Sequence, residues 1–310
     1  MIGAGAFGRH HLRVIGESAR AELVGVVDLD AGRRAQAARD FGCPALEDWH
    51  ELAGKADAAV VAVPTIAHAE VGRGLLEAGL DILVEKPIAA SGTEARLLIE
   101  AAAANGRLLQ VGHLERFNPA VMALERVCRL PLFFEIHRLS PFTPRSLDVD
   151  VVLDLMIHDV DIVLALVGQP PEEIRAAGLN VLTDKVDIAN ARLAFPGGCV
   201  ANFTASRVST ERVRKLRLFQ PHEYISIDYG RQDGVICSIG PSREIAFQPL
   251  AAEKSEPLKL QFEAFLDAIH MRRRPRVDGE AATAALEVAL AILDRIKVHA
   301  RVVEAAIAAL

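Results

Sequence analysis

The sequence predicts an α/β protein: an N-terminal Rossmann-type, doubly wound parallel sheet, then an α/β domain with a large, mostly antiparallel open sheet. Three observations predict it. A glycine-rich turn, Gly3-Ala4-Gly5-Ala6-Phe7-Gly8, opens the chain. Short apolar runs then alternate with amphipathic helical stretches, the pattern of βαβ units. Beyond Pro119, strand patterns follow one another with little helix between them, as in antiparallel sheets.

In the first part, apolar runs at 23–27, 58–63, 82–84 and 108–111 predict strands, and stretches 8–17, 31–41, 67–78 and 92–104 predict helices. In the second, residues 133–137 read as a strand, followed by a loop marked by Pro141 and Pro144 and an apolar helix over 149–167. Strands are expected at 176–182, 188–194, 199–207, 215–220, 224–228 and 234–239, and closing helices at 258–271 and 279–299. With 310 residues, two domains are expected, 1–118 and 119–310. Only Met1 and Ile2 precede Gly3, so either the true start lies upstream or the first strand is severely shortened.

Composition narrows the class. Half the residues are hydrophobic (51%), a quarter charged (25%), and the net charge is -6, which speaks against a nucleic-acid partner. The cluster Arg272, Arg273, Arg274 and Arg276 is broken by Pro275 and reads as a solvated loop. Cys43, Cys128, Cys199 and Cys237 lie far apart with no C-x-x-C pair, which argues against a disulfide framework or zinc site and fits a reducing compartment. There is no secretory leader pattern and no apolar run of the roughly 18–20 residues that a membrane span requires, so a cytoplasmic protein without a membrane partner is expected.

The glycine turn matches G-x-G-x-x-G. Gly3 permits the tight turn, Gly5 admits backbone to a pyrophosphate, and Gly8 allows close helix–strand packing. Ala6 and Phe7 complete the turn as cofactor-binding candidates, and the helix that follows over 8–17 aims free N–H groups and its positive dipole at phosphate. Asp28, 20 residues beyond Gly8, ends the next apolar run. There its carboxylate can accept bonds from ribose hydroxyls and would repel a 2′-phosphate, which favours NAD over NADP; Arg33 and Arg34 soften that preference.

Two segments carry candidate chemistry. Glu85-Lys86-Pro87 follows a strand, at the carboxyl edge where parallel sheets bind ligands. Lys86 there can bond a substrate hydroxyl and exchange a proton; taken alone, the tripeptide equally fits a surface lysine paired with Glu85. On the apolar helix, at about 100° per residue, Asp154 and His158 fall about 40° apart, with Asp161 about 20° to the other side of Asp154. Carboxylates on such a stripe are costly unless paired. The stripe therefore suggests a site, with His158 moving a proton and Asp154 orienting substrate or imidazole. A satisfied buried network and a metal half-site at Asp154 and His158 are the competing readings; no H-E-x-x-H or cysteine ligands support a metal.

With these residues in view, the chain resembles the Gfo/Idh/MocA oxidoreductases. The resemblance rests on the glycine turn, on Val63-Pro64-Thr65 through His68, on Glu85-Lys86-Pro87, and on Asp154, His158 and Asp161, in that order. It implies hydride transfer between a sugar carbinol carbon and nicotinamide, with Lys86 and His158 as the proton-handling pair, Asp154 positioning substrate, and Pro64, Thr65, His68, Glu85 and Lys86 along the cofactor. It also implies a homodimer or homotetramer formed through the second domain's sheet. A narrower resemblance joins Val111-Gly112-His113-Leu114-Glu115-Arg116-Phe117-Asn118-Pro119 and residues 154–159 to bacterial and archaeal UDP-N-acetylglucosamine 3-dehydrogenases, whose bacterial members serve lipid A with amide-linked chains. Arg116 and Asn118 can bond the sugar or its diphosphate, although Arg116 equally fits a salt bridge with Glu115 or a nearby carboxylate. Arg207 and Arg214 are further anion-binding candidates, or solvated strand-edge residues. The expected substrate is a sugar or nucleotide sugar. The reading of another class is a non-catalytic sensor of NAD and sugar, which the joint presence of Lys86, Asp154 and His158 disfavours.

Overall fold

The computed structural model describes residues 1–143, 149–240 and 242–308; Pro144 of the expected loop lies outside them. Contacts divide the chain into two units, Met1–Leu114 with Glu256–Thr283, and Glu115–Ser255 with Ala284–Leu310. This differs from a single cut after residue 118. The physical reason is that Leu258, Phe262 and Phe265 pack into the core of the first unit with Leu12, Val60 and Leu83.

The first unit begins with the glycine turn and α1 (Ala6–Glu17). There follow β1 (Val26–Val27), α2 (Ala31–Phe41) and β2 (Ala45–Leu46). Next come β3 (Ala58–Val61), α3 (His68–Glu77), β4 (Asp81–Glu85), α4 (Gly92–Ala104) and β5 (Leu109–Gly112). Local chemistry sets the ends of these helices. Asp30 caps α2 by accepting the N–H of Arg33, Gly42 ends it in the left-handed region, and Ser91 caps α4 by accepting the N–H of Glu94. All strand pairs are parallel: β1 with β2, β3 with β4, β4 with β5.

Ile2 bridges Val27 on one side and Val61 on the other. Ahead of it, Leu23, Val24, Ala58, Ala59, Phe262 and Phe265 help line a cavity of 520 Å3. The Met1 ammonium is buried there and donates to the Gly25 carbonyl; burial brings its pKa down to about 6. The apolar run at 23–27 forms ladder only at Val26–Val27.

The second unit contains α5 (Pro119–Val127), β6 (Phe133–Leu139) and a π-helical turn, Val152–Met156, that leads into α6 (Ile157–Val167). Seven more strands follow: β7 (Glu173–Leu179), β8 (Ile188–Ala194), β9 (Val200–Ser206), β10 (Val213–Gln220), β11 (Glu223–Asp228), β12 (Asp233–Ile239) and β13 (Ile245–Pro249). With β6 they form one sheet of order β13-β12-β11-β10-β6-β9-β8-β7, in which, among the described residues, only β6 and β9 run parallel. Phe134, Ile136, Phe203, Leu216 and Leu218 share the inner face with Val152, Met156 and Val160. Alternation along β6 and β9 places every second residue there. The chain closes with α7 (Pro257–Met271) and α8 (Gly279–Ala308), the latter divided between the units at Thr283.

Trp49 packs on α3, where Gly74 leaves room for its ring. Arg272 is more than a solvated loop residue, since it donates to Asp81 at 2.5 Å and to the Gly106 carbonyl at 2.8 Å. The four cysteines are free. Among the described residues no helix is long and apolar enough to cross a membrane, and no group of three or more metal-ligating side chains converges.

Candidate functional site

The glycine turn is built as its spacing requires. Gly3 lies at φ 89, and a Cβ on it would stand 2.4 Å from the Ala62 carbonyl; one on Gly8 would stand 2.0 Å from the Gly3 carbonyl. Gly5 faces open space, with nothing within 4 Å of such a Cβ. It is also the N-cap of α1 and places no side chain over the first-turn amides, where Ala6 and Phe7 stand exposed. An anion is the natural complement of that uncapped end.

Asp28 follows β1 and is tied to the turn: Oδ2 accepts the Ala4 N–H at 2.8 Å, while Oδ1 accepts the Asp30 N–H at 2.8 Å and Arg33 at 3.2 Å. Burial pushes the carboxyl up, but these donors outweigh it and hold it below the usual carboxylate range. Arg34 turns away to the Asp28 carbonyl. Pro64 is exposed and Thr65 half-buried on a short 3₁₀ turn after β3.

His68, expected along the cofactor, is buried at 1% exposure, with both ring nitrogens 2.9 Å from carbonyls, Nδ1 from Pro87 and Nε2 from Val63. Burial pushes its imidazole pKa down. His68 thus joins the turn after β3 to the turn after β4. That second turn carries buried Glu85 and half-buried Lys86, with a cis bond to Pro87.

In the second unit, Asp154 lies in the π-helical turn and His158 in the first turn of α6, both half-buried. The wider π turn changes the angle between them from the one a regular α-helix gives; such turns recur at functional sites. Asp161 is buried, 3.6 Å from Arg116, which also donates to Glu125 at 3.1 Å. The salt-bridge reading of Arg116 therefore has a concrete form.

Asn118 caps α5 by accepting the Ala120 N–H, and donates to Glu115 at 3.1 Å and to the Tyr229 carbonyl at 3.0 Å. A substrate role for Asn118 thus competes with three internal bonds. Arg207 is buried, donates to the Val149 carbonyl and lies 3.8 Å from Asp187. Arg214 is half-exposed, 3.9 Å from Glu115; burial and repulsion from Arg138 lower its pKa.

The residue that sequence reasoning missed is Arg138. It is buried, grips both carboxylate oxygens of Asp159 at 2.7 and 2.9 Å, donates to Glu115 at 2.9 Å, and lies over the Tyr229 ring at 4.9 Å. Burial alone would lower its pKa, but Asp159 and Glu115 reverse that and keep it charged. The signal was present: 138 shares the inward parity of Phe134 and Ile136, and an arginine there needs carboxylates.

The comparisons with known proteins fit this geometry. The Gfo/Idh/MocA oxidoreductase family with its NAD-binding Rossmann fold matches residues 1–113, and that family's C-terminal domain matches 133–220. The chain belongs to the Gfo/Idh/MocA oxidoreductase family. A UDP-N-acetylglucosamine 3-dehydrogenase of Acidithiobacillus ferrooxidans is 37% identical, over 94% of this chain and 95% of that protein. A solved structure of the enzyme from that organism superposes with a TM-score of 0.91 at 35% identity, covering 96% and 97% of the two chains. Inositol 2-dehydrogenase 1 of Saccharopolyspora erythraea is 35% identical over 94% and 92%. The cofactor of this Gfo/Idh/MocA protein is NAD, and the first unit fits it: an open Gly5 and an uncapped α1 suit the pyrophosphate, and an anionic Asp28 suits the ribose hydroxyls.

Proposed function

We propose that this dehydrogenase oxidises a sugar hydroxyl to a ketone, with UDP-N-acetylglucosamine oxidised at C3 as the favoured substrate. The observation that carries the reading is likeness along nearly the whole chain to an enzyme of that name, joined to an NAD turn specified by Asp28. NAD, when bound, supplies the hydride acceptor. Lys86 and His158 handle the hydroxyl proton, and Asp154 orients the sugar. Positioning supplies much of the rate, since reacting carbons must be held at near-attack distance. Arg116, Asn118 and Arg207 serve the substrate only by sharing or giving up internal partners, so Arg214, half-exposed and incompletely compensated, stands first for the diphosphate.

The protein works in the cytoplasm as a homodimer or homotetramer, and its 3-keto product suits amination on the way to amide-linked lipid A. Support for assembly comes from the outer face of the eight-stranded sheet. There Phe133, Phe219, Tyr224, Cys237 and Phe247 stand opposite one another in a row across five strands. Exposed apolar patches of this kind mark interfaces.

The test is NADH formation with nucleotide sugars first and inositol next. UDP-N-acetylglucosamine is expected to give NADH and a ketone, and Lys86→Ala to lose turnover while keeping NAD affinity. NAD binding without turnover on any nucleotide sugar or polyol would favour the sensor instead.

A further inference from the structure

Glu85 closes β4, and its carboxylate bonds in two directions. Oε1 accepts a hydrogen bond from Nε2 of His11 at 2.7 Å, and Oε2 accepts the backbone N–H of Lys86 at 3.2 Å. His11 stands in the second turn of α1, the helix that starts at the glycine turn, and is completely buried. Its Nδ1 is buried with no partner, so the ring proton belongs on Nε2, facing the carboxylate. The Phe7 ring meets the imidazole edge-on, 5.4 Å between centroids.

The space for the carboxylate is equally defined from the other side. Gly112 is the register partner of Glu85 on β5, and a Cβ there would stand 2.7 Å from Oε1. Any larger residue at 112 would push the carboxylate off His11. A buried carboxylate needs a partner, but many partners would meet that need. This one joins the helix of the dinucleotide turn to the peptide of Lys86, while His68 holds the far side of the same turn through the Pro87 carbonyl.

We infer that His11 and Glu85 are positioning residues that hold Lys86 in register with the dinucleotide turn. The inference rests on the role proposed for Lys86 above. Lys86 meets its substrate through its ammonium, but the direction of that side chain is set by its own peptide plane. Glu85 fixes that plane only while His11 fixes Glu85. Loss of His11 therefore releases Lys86 and leaves the glycine turn, whose shape comes from Gly3 and Gly8, in place.

The experiment uses His11→Leu, which removes the donor, His11→Gln, whose amide nitrogen can replace Nε2, and Gly112→Ala, which displaces the carboxylate without touching α1. Each intact protein is labelled without substrate by acetic anhydride, and Lys86 modification is followed by mass spectrometry against Lys55 and Lys259 as internal standards. NAD affinity, melting temperature and kcat are measured in parallel. His11→Leu and Gly112→Ala are expected to raise Lys86 labelling at least threefold relative to the other lysines and to lower kcat about tenfold, with NAD affinity within threefold of the parent. His11→Gln is expected to restore most of both.

Unchanged Lys86 labelling and kcat in a folded His11→Leu protein would overturn the inference. So would a joint fall in NAD affinity, melting temperature and kcat that Gln does not rescue. If His11→Leu does not fold, Gly112→Ala decides by the same criteria. A parent protein that turns over no nucleotide sugar or polyol defeats the proposed function alone, since the labelling still tests the hold on Lys86.

Discussion

Replacing Asp28 tests the cofactor site at its most specific point. A carboxylate offers about four lone-pair positions. The fold occupies three, through the N–H groups of Ala4 and Asp30 and the guanidinium of Arg33. One remains on Oδ2, and the Arg33 bond is the weakest of the three, at 3.2 Å from a side chain 59% exposed. A ribose diol therefore gains one hydrogen bond outright and a second by displacing Arg33. Bonds to a charged group contribute about 1.5–3 kcal/mol each. Asp28→Ala is thus expected to weaken NAD binding by about 2–4 kcal/mol, roughly 30- to 1,000-fold. The same change removes the repulsion of a 2′-phosphate and frees Arg33 to meet it, so the ratio of kcat/KM for NADP to that for NAD rises by at least 100-fold. Titration calorimetry measures the first effect and initial rates with both cofactors the second. Because its donors hold the Asp28 carboxyl below the usual range, the parent's preference for NAD stays flat from pH 5 to 9. An Asp28→Ala protein that melts like the parent and binds NAD within twofold of it would refute the reasoning.

Arg138→Met leaves Asp159 buried without this cation and Glu115 with only the more distant Arg214, and is expected to cost about 3–5 kcal/mol in urea unfolding; a cost below 1 kcal/mol would mean that the carboxylates find other partners. Asp187→Asn faces an amide towards the N–H groups of Val181, Leu182 and Thr183 and is expected to cost about 2 kcal/mol, read by the same assay. Burial raises the Asp187 carboxyl, but those donors bring it down to about 2. The folded pKa lies below the unfolded one, so this stabilisation is complete above about pH 4 and is lost as pH falls towards 2; acid unfolding of Asp187→Asn is expected to be less steep there. Four Val or Ile residues added ahead of Met1 would enter the cavity between Leu23–Val24 and Ala58–Ala59. That is expected to raise unfolding stability by about 2–4 kcal/mol, and an unchanged melting temperature would show that the slot does not accept a strand.

Much of this architecture is written in local patterns. The helix expected over 31–41 matches α2 because Asp30 and Gly42 mark both ends chemically, and β8 falls on 188–194 because its apolar residues alternate without a break. The glycine turn and Asp28 were legible because each glycine answers a steric demand of its own neighbourhood. What stayed hidden depends on partners distant in sequence. β13 is exposed along its whole length, so its residues carry no alternation to read. α5 starts on the proline of an Asn-Pro pair that fits a loop as well as a helix start. The buried His11–Glu85 bond and the Arg138 network join residues that only the folded sheets bring together. The π turn at Val152–Met156 has no sequence rule, and it alters the angle that helical geometry assigns to Asp154 and His158.

The discontinuous first unit has a consequence for biosynthesis. The parallel strands of its sheet are all made once Gly112 has left the ribosome, yet Val277 and Asp278, which pair with Val111 and Gln110 at its edge, and Phe262 and Phe265, which pack with Met1 and Leu12, arrive only after residues 115–255 have been made. At roughly 5–20 residues per second, that delay is on the order of ten seconds or more. For that time the nascent sheet lacks the apolar cover of Phe262 and Phe265, the kind of exposed surface that makes folding chains prone to aggregate. It also means that a fragment ending at residue 118 lacks part of its own core.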